Sequence, residues 1–170
     1  NILEATVSKM SADPNVNNAE RLADYWVLGG IFRPVYLEAV PKENIDYVAI
    51  DAKADGSFAM QVFAEGLSAG TTVHVSILDS KGKEVATTSA KGSNGVVLKT
   101  NVANAAQWTS ETPHLYKAVV TLKNGAKTIY QTAEKFGFRT IEVRRGDGIY
   151  VNGVQVKMKG VNRHVWWPET

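Results

Sequence analysis

The sequence YKAVVTLKNG, residues 116–125, alternates apolar and polar side chains. Tyr116, Ala118, Val120 and Leu122 occupy every second position of this stretch. Because successive side chains of a β-strand point to opposite faces, the pattern predicts a strand with one face in a core. The stretch ends in Asn124-Gly125, a dipeptide that favours a tight turn between antiparallel strands.

The same alternation recurs throughout the middle of the chain. It is present in residues 47–52, 58–65, 73–77, 96–99 and 129–133. Turn-forming residues separate these stretches, including Asp55-Gly56 and Asn94-Gly95. Roughly seven short strands with frequent turns predict an all-β protein, with a β-sandwich over residues 41–137. We expect no helix of more than about two turns.

Both flanks of this region also contain short strand-like patterns. On the N-terminal side we expect strands over residues 2–8 and 35–40, with a turn-rich loop over 11–18 between them. On the C-terminal side, a strand over 140–144 precedes a hairpin, 149–156, whose turn is Asn152-Gly153. Residues 158–164 are then expected to be extended.

Composition excludes some classes of function. Hydrophobic residues make up 44% of the 170 residues, enough for a packed core. The 19 Lys and Arg against 17 Asp and Glu give a net charge of +2, which provides no basis for nucleic-acid binding. No apolar run approaches the length of a membrane span. The absence of cysteine excludes disulfides and thiol chemistry.

The compartment is left open by the sequence, with a periplasmic or extracellular location favoured over a cytoplasmic one. The chain begins at Asn1, within a strand-like pattern, and ends at Thr170 without a natural terminus. We therefore expect both ends to be cut, and a missing signal peptide is uninformative.

Few side chains point to chemistry by themselves. Most Asp and Glu residues fall in turns or on polar strand faces, so no pair stands out as a general acid and base. His74 and His114 are interpreted as structural. His164 follows Asn162-Arg163 and either lines a pocket or lies in an ordinary strand end. Asp24 precedes Tyr25-Trp26, which is the composition of a sugar site, although these residues alone favour a loop whose aromatic side chains cover the core.

Four separated stretches resemble glycoside hydrolase family 2, most closely its β-galactosidases. They are Asp24-Tyr25-Trp26 with Gly29-Gly30-Ile31-Phe32-Arg33-Pro34, Trp108-Thr109-Ser110-Glu111-Thr112-Pro113-His114, Phe136-Gly137-Phe138-Arg139-Thr140, and Asn152-Gly153 with Lys159-Gly160-Val161-Asn162-Arg163-His164. The resemblance implies three parts. Residues 1–40 would end a sugar-binding jelly-roll domain, 41–137 would be a complete immunoglobulin-like domain, and 138–170 would start a TIM-barrel catalytic domain.

The resemblance also implies a function for the parent enzyme, which would hydrolyse β-glycosidic bonds with retention, using two Glu residues beyond Thr170. By the same resemblance, Asp24 and His164 are substrate-binding residues. Asp24 accepts hydrogen bonds from sugar hydroxyls and in some β-galactosidases ligates a monovalent cation. At position 165 this chain has valine, whereas many members of the family have an acidic residue. This difference bears more on the assignment to a subtype than on the role of His164.

The remaining expectations concern cofactors, partners and subtype. This stretch would hold no cofactor, and the parent enzyme would use a monovalent cation or Mg²⁺. The partner is a carbohydrate substrate, with no nucleic acid and no membrane, and the full-length enzyme could be an oligomer. The particular residues in these motifs favour β-galactosidase over β-glucuronidase and β-mannosidase. The alternative is a free-standing carbohydrate-binding or adhesion β-sandwich.

Overall fold

The structure is a computed structural model that describes residues 2–22, 30–31 and 33–162. The chain divides into two compact units, Asn1–Ala39 and Val40–Thr170, and each is described by itself. Within the described residues, no helix is both long and apolar enough to cross a membrane.

The N-terminal unit contains a short helix, α1 (Pro14–Arg21). Asp13 caps its start, since a carboxylate oxygen of Asp13 accepts a hydrogen bond of 2.8 Å from the Asn15 amide. Pro14 suits the first helical position because its fixed φ is helical and no amide is needed there. The prediction of a turn-rich loop over residues 11–18 was therefore wrong for 14–18, which are helical, while 11–13 form neither helix nor strand.

The two strands expected in this unit are absent. Neither residues 2–8 nor 35–40 form a strand in the structure. The physical reason is that a strand is stabilised by a hydrogen-bonded neighbour, and no described strand pairs with either stretch. Apolar alternation alone was insufficient evidence for them.

Seven strands form the sandwich in the second unit. They are β1 (Asn44–Ala52), β2 (Ser57–Glu65), β3 (Thr71–Leu78), β4 (Glu84–Lys91), β5 (Val96–Asn101), β6 (Tyr116–Asn124) and β7 (Lys127–Phe136). One sheet has the order β1-β2-β5 and the other β4-β3-β6-β7, with antiparallel pairing throughout. The all-β, immunoglobulin-like sandwich is thus confirmed.

Strand β4 escaped the sequence analysis. Its inward positions carry Ala86, Thr88 and Ala90, which are half-buried. These side chains are too small or too polar to produce the strong hydrophobic alternation seen in β2 and β3. Pairing with β3 from Thr72 to Leu78 holds it in the sheet instead.

The core lies between the two sheets and follows the predicted alternation. The fully buried side chains include Met60 and Val62 of β2, Val75 of β3 and Val120 of β6. Each such apolar side chain contributes roughly 1.5–3 kcal/mol relative to an exposed one.

An aromatic cluster closes one end of this core. Phe136 and Phe138 lie 5.2 Å apart between ring centroids, and Tyr116 lies 5.0 Å from Phe138 in an edge-to-face arrangement. Phe138 is fully buried, so the core includes a side chain one residue beyond the expected boundary at 137. The division into 1–40, 41–137 and 138–170 remains a prediction.

A small second sheet follows the sandwich. It consists of β8 (Ile141–Arg144), β9 (Gly148–Val151) and β10 (Val154–Val156) in the order β10-β9-β8. The predicted hairpin is confirmed, and both turn residues have positive φ, 52° at Asn152 and 79° at Gly153. Residues 157–162 form no strand or helix, and the extended run expected over 158–164 stays a prediction.

Candidate functional site

The two predicted substrate-binding residues, Asp24 and His164, lie outside the described residues. The same is true of Tyr25 and Trp26, the proposed stacking partners of Asp24. The structure therefore brings neither side chain into a geometry that can be measured. Their roles in sugar binding stay predictions.

The described part of the chain does not assemble a metal centre. Within residues 2–22, 30–31 and 33–162, no group of three or more His, Cys, Asp or Glu side chains could hold an ion. Of the histidines there, His74 has its Nε2 3.0 Å from the Thr72 hydroxyl on the outer side of β3. His114 is exposed, and its backbone amide donates to the Thr112 carbonyl.

Among the described residues, Glu43 and Asp55 have carboxyl groups with lowered pKa values, and both accept hydrogen bonds in turns or loops. Glu43 accepts hydrogen bonds from the Thr71 hydroxyl at 2.7 Å and from the amide and hydroxyl of Ser68 at 3.1 and 2.9 Å. These bonds, with that of Thr71 first, hold the pKa of Glu43 below its usual value. Hydrogen bonds from Ser57 likewise lower the pKa of Asp55. A general acid in glycoside hydrolysis needs a raised pKa, so neither group suits that role.

A groove of about 740 Å³ runs along β1 and β7, the edge strands of the two sheets. Its lining combines three acidic with three basic side chains. These are Asp46, Asp51 and Glu134, and Lys53, Lys135 and Arg139. Asp51 and Lys53 neutralise each other in an ion pair of 2.7 Å. The balance of charge gives the groove no preference for an anionic or a cationic ligand.

Hydrogen bonds form a junction between the sandwich and the small sheet. Asn152 lies at its centre. Its Oδ1 accepts a hydrogen bond from the Thr140 amide at 2.9 Å, and its Nδ2 donates to the Trp108 carbonyl at 3.0 Å. Its backbone amide also donates to the Thr140 carbonyl at 2.8 Å. The turn of the hairpin is therefore fastened to a loop of the sandwich.

The other side of the junction is close packed around Trp108. Its amide donates to the Phe138 carbonyl at 2.9 Å, and the Arg139 guanidinium lies 4.7 Å from the centre of its ring. A Cβ atom at Gly137 would lie only 2.6 Å from the Trp108 Cβ, so the chain passes the indole where only glycine fits. The Ala54 amide adds a hydrogen bond of 3.1 Å to the Thr140 hydroxyl.

This junction was missed by the sequence analysis, although its residues were quoted there. Trp108, Gly137 and Asn152 come from three of the four stretches that carry the family resemblance. Their convergence was not predictable, because Asn152 and Trp108 are 44 positions apart. The Asn-Gly dipeptide indicated only a turn. The available signal was the choice of Asn, whose amide can both donate and accept.

Comparisons with known proteins agree with the fold. The family model of the family 2 glycosyl hydrolases matches residues 42–139. A β-galactosidase of Priestia megaterium is 32% identical in an alignment 157 residues long that covers 83% of this chain and 15% of that protein. A putative β-glucuronidase of Formosa agariphila is 28% identical in an alignment 161 residues long that covers 91% of this chain and 19% of that protein.

A solved structure is similar over most of the chain. A β-glucuronidase from Ruminococcus gnavus, in complex with D-glucaro-d-lactam, matches with a TM-score of 0.60 and 29% identity. The match covers 72% of this chain and 20% of that one. The chain thus spans only about 15–20% of the length of these relatives. Because the family model covers more than half of the chain, the sequence belongs to the family 2 glycosyl hydrolases.

Proposed function

We propose that this chain is the non-catalytic scaffold segment of a longer retaining β-glycosidase of the β-galactosidase type. The observation that carries the proposal is that this chain is much shorter than its relatives in the same family. The chain matches its relatives over most of its own residues but over only about 15–20% of theirs. The remaining domains of such an enzyme would supply the two carboxylates that hydrolysis with retention requires.

The chain's own contribution would be to hold its neighbours in position. The sandwich has a closed core, and the junction around Asn152 fastens the small sheet to it. Two side chains would reach the sugar from the flanks. Asp24 would accept hydrogen bonds from sugar hydroxyls, and His164 would contact the sugar near the scissile bond. The full-length enzyme would use a monovalent cation, which Asp24 would help to bind, or Mg²⁺.

The specificity for β-galactosides is the finer part of the proposal. It is supported by the spelling of Gly29-Gly30-Ile31-Phe32-Arg33 and Asn162-Arg163-His164. The relatives carry both names, β-galactosidase and putative β-glucuronidase. The full-length enzyme should be assayed with chromogenic β-galactoside, β-glucuronide and β-mannoside at equal concentration. A preference for the glucuronide or mannoside would overturn the β-galactosidase assignment.

The 170-residue chain itself should be inactive in the same assay. Positioned carboxylates are indispensable to this chemistry, and orientation by a scaffold cannot replace them. The expected result is no turnover above buffer. Turnover that copurifies with the chain would contradict a scaffold role. A stop codon directly after Thr170 in the gene, together with sugar binding by the chain, would instead favour a free-standing carbohydrate-binding module.

A further inference from the structure

Three Asn-Gly dipeptides occur in the chain, at Asn94-Gly95, Asn124-Gly125 and Asn152-Gly153. Asparagine is among the thermolabile residues of proteins, and in this dipeptide its side chain can react with the backbone that follows it. The amide nitrogen of the glycine attacks Cγ of the asparagine, and the glycine has no side chain to hinder the approach. The three sites share this intrinsic chemistry, so their surroundings in the folded protein determine which of them reacts.

The carboxamide of Asn94 is not held by any described group. The residue is exposed in the turn before β5, and no described residue hydrogen-bonds to its side chain. The amide of Gly95, which is the attacking group, likewise donates to no described acceptor. The turn itself is held by two long hydrogen bonds, from the Val96 amide to the Ser93 carbonyl at 3.3 Å and from the Gln61 side chain to the Gly95 carbonyl at 3.2 Å. Both reacting groups are therefore free to approach each other.

The carboxamide of Asn152 is held at both of its polar atoms. Its Oδ1 accepts from the Thr140 amide at 2.9 Å, and its Nδ2 donates to the Trp108 carbonyl at 3.0 Å, both in partly buried surroundings. Nδ2 is the nitrogen that leaves during the reaction, and both bonds must break before Cγ can turn towards the Gly153 amide. Two hydrogen bonds of this kind should slow the reaction by about tenfold or more.

Asn124 is intermediate between these two cases. It is the last residue of β6, where it pairs with Lys127 of β7, so its backbone is fixed by the ladder. Its Nδ2 donates to the Ser68 hydroxyl at 3.3 Å and to the Ala69 carbonyl at 3.5 Å. These bonds are longer than those of Asn152, and its Oδ1 accepts none from a described residue. We therefore expect a rate between those of the other two sites.

We propose that Asn94 is a site of spontaneous deamidation, and that the hydrogen bonds of Asn152 protect the junction from the same reaction. The Gly95 nitrogen forms a bond to Cγ of Asn94 and gives up its proton, which water relays to Nδ2. The bond between Cγ and Nδ2 breaks, and ammonia leaves. Water then opens the cyclic imide at either carbonyl, which gives aspartate or isoaspartate and adds a negative charge to the turn. The reaction needs only water, so it is independent of the proposed function.

Peptide mapping by mass spectrometry tests the proposal on the folded 170-residue chain, incubated at mildly alkaline pH. Aspartate and isoaspartate should accumulate at position 94 at least about tenfold faster than at position 152, with position 124 between them. Asn104 is an internal control, because it is exposed and no described residue hydrogen-bonds to its side chain, but Ala105 follows it instead of glycine. It should react much more slowly than Asn94. Asn94→Gln should remove the reaction at that position and leave the other rates unchanged.

The same chain unfolded in urea separates the effect of the fold from that of the sequence. Without the folded structure, the three Asn-Gly sites should react at similar rates, because the hydrogen bonds that distinguish them are gone. Equal rates at positions 94 and 152 in the folded chain would overturn the proposal. So would a difference between them that persists in urea, or a rate at Asn94 no higher than that at Asn104.

Discussion

Replacing Asn152 with glycine should loosen the small sheet from the sandwich. The residue has a φ of 52°, which glycine adopts without strain, so Asn152→Gly preserves the turn and removes only the side chain. Two partly buried hydrogen bonds are lost, to the Thr140 amide and the Trp108 carbonyl. Each contributes about 0.5–1.5 kcal/mol net, so the loss is about 1–3 kcal/mol. This corresponds to a decrease in melting temperature on the order of 3–10 °C.

Asn152→Asp distinguishes the contributions of the two side-chain hydrogen bonds. The variant keeps an acceptor for the Thr140 amide but sets a carboxylate oxygen against the Trp108 carbonyl, where the wild type has a donor. We expect it to be at least as destabilising as Asn152→Gly at pH 7. The adjacent carbonyl disfavours the charged form, so the new carboxyl should have a raised pKa in the folded state. Its deficit should therefore shrink as the pH falls through that pKa, because the protonated group can donate to the carbonyl.

Asn104 supplies the control. Its φ is 53°, and no described residue hydrogen-bonds to its side chain, so Asn104→Gly makes the same backbone change without loosening a junction. Melting followed by circular dichroism, with hydrogen exchange of β8–β10, should separate the two substitutions. If Asn152→Gly were no more destabilising than Asn104→Gly, the argument that Asn152 fastens the small sheet would be refuted.

Three further predictions follow from particular side chains. A protein trimmed to residues 41–137 loses the fully buried Phe138. Its free energy of unfolding should be about 3–5 kcal/mol lower than that of a protein trimmed to 41–139, and its melting temperature should be lower as well. Equal melting temperatures would show that the boundary at 137 is adequate. Glu43→Gln should lower the melting temperature at neutral pH, and wild type and variant should melt alike in acid. The reason is that the pKa of Glu43 is lowered in the folded state. Its stabilising contribution is therefore complete above the ordinary pKa of 4.5 and is lost as the pH falls through the lowered folded-state pKa. In the full-length enzyme, Asp24→Ala and His164→Ala should each reduce kcat/KM by about tenfold to a thousandfold with little change in melting temperature, and wild-type kinetics in both would refute their roles.

The sandwich was predictable because the apolar residues that reveal its strands in the sequence are the same residues that stabilise its core. The apolar residues of β2, β3 and β6 alternate because those strands each bury one face, so the pattern that identified them is also the core. Strand β4 was missed because it contributes mainly backbone hydrogen bonds and small side chains, which leave no such pattern.

In the N-terminal unit the error was the reverse, because a strand was predicted that the structure does not contain. Alternation over residues 2–8 predicted a strand, but the structure provides no partner for it. The helix α1 could have been found, since Asp13-Pro14 combines a capping residue with a proline at the first helical position. Local capping chemistry was more informative in this unit than periodicity. Partners for strands are a tertiary property that alternation alone does not encode.

The stretches that resemble the family have a mechanical explanation in the described structure. Trp108, Gly137 and Asn152 come together to fasten one sheet to another, and this requires a glycine beside an indole and an amide that donates and accepts. A displacement of about 1 Å at a catalytic centre can cost on the order of a hundredfold in rate. In the proposed parent enzyme, the part of the polypeptide that continues from the small sheet would take its orientation from this junction. Residues far from the sugar would then influence kcat by setting the positions of the catalytic groups.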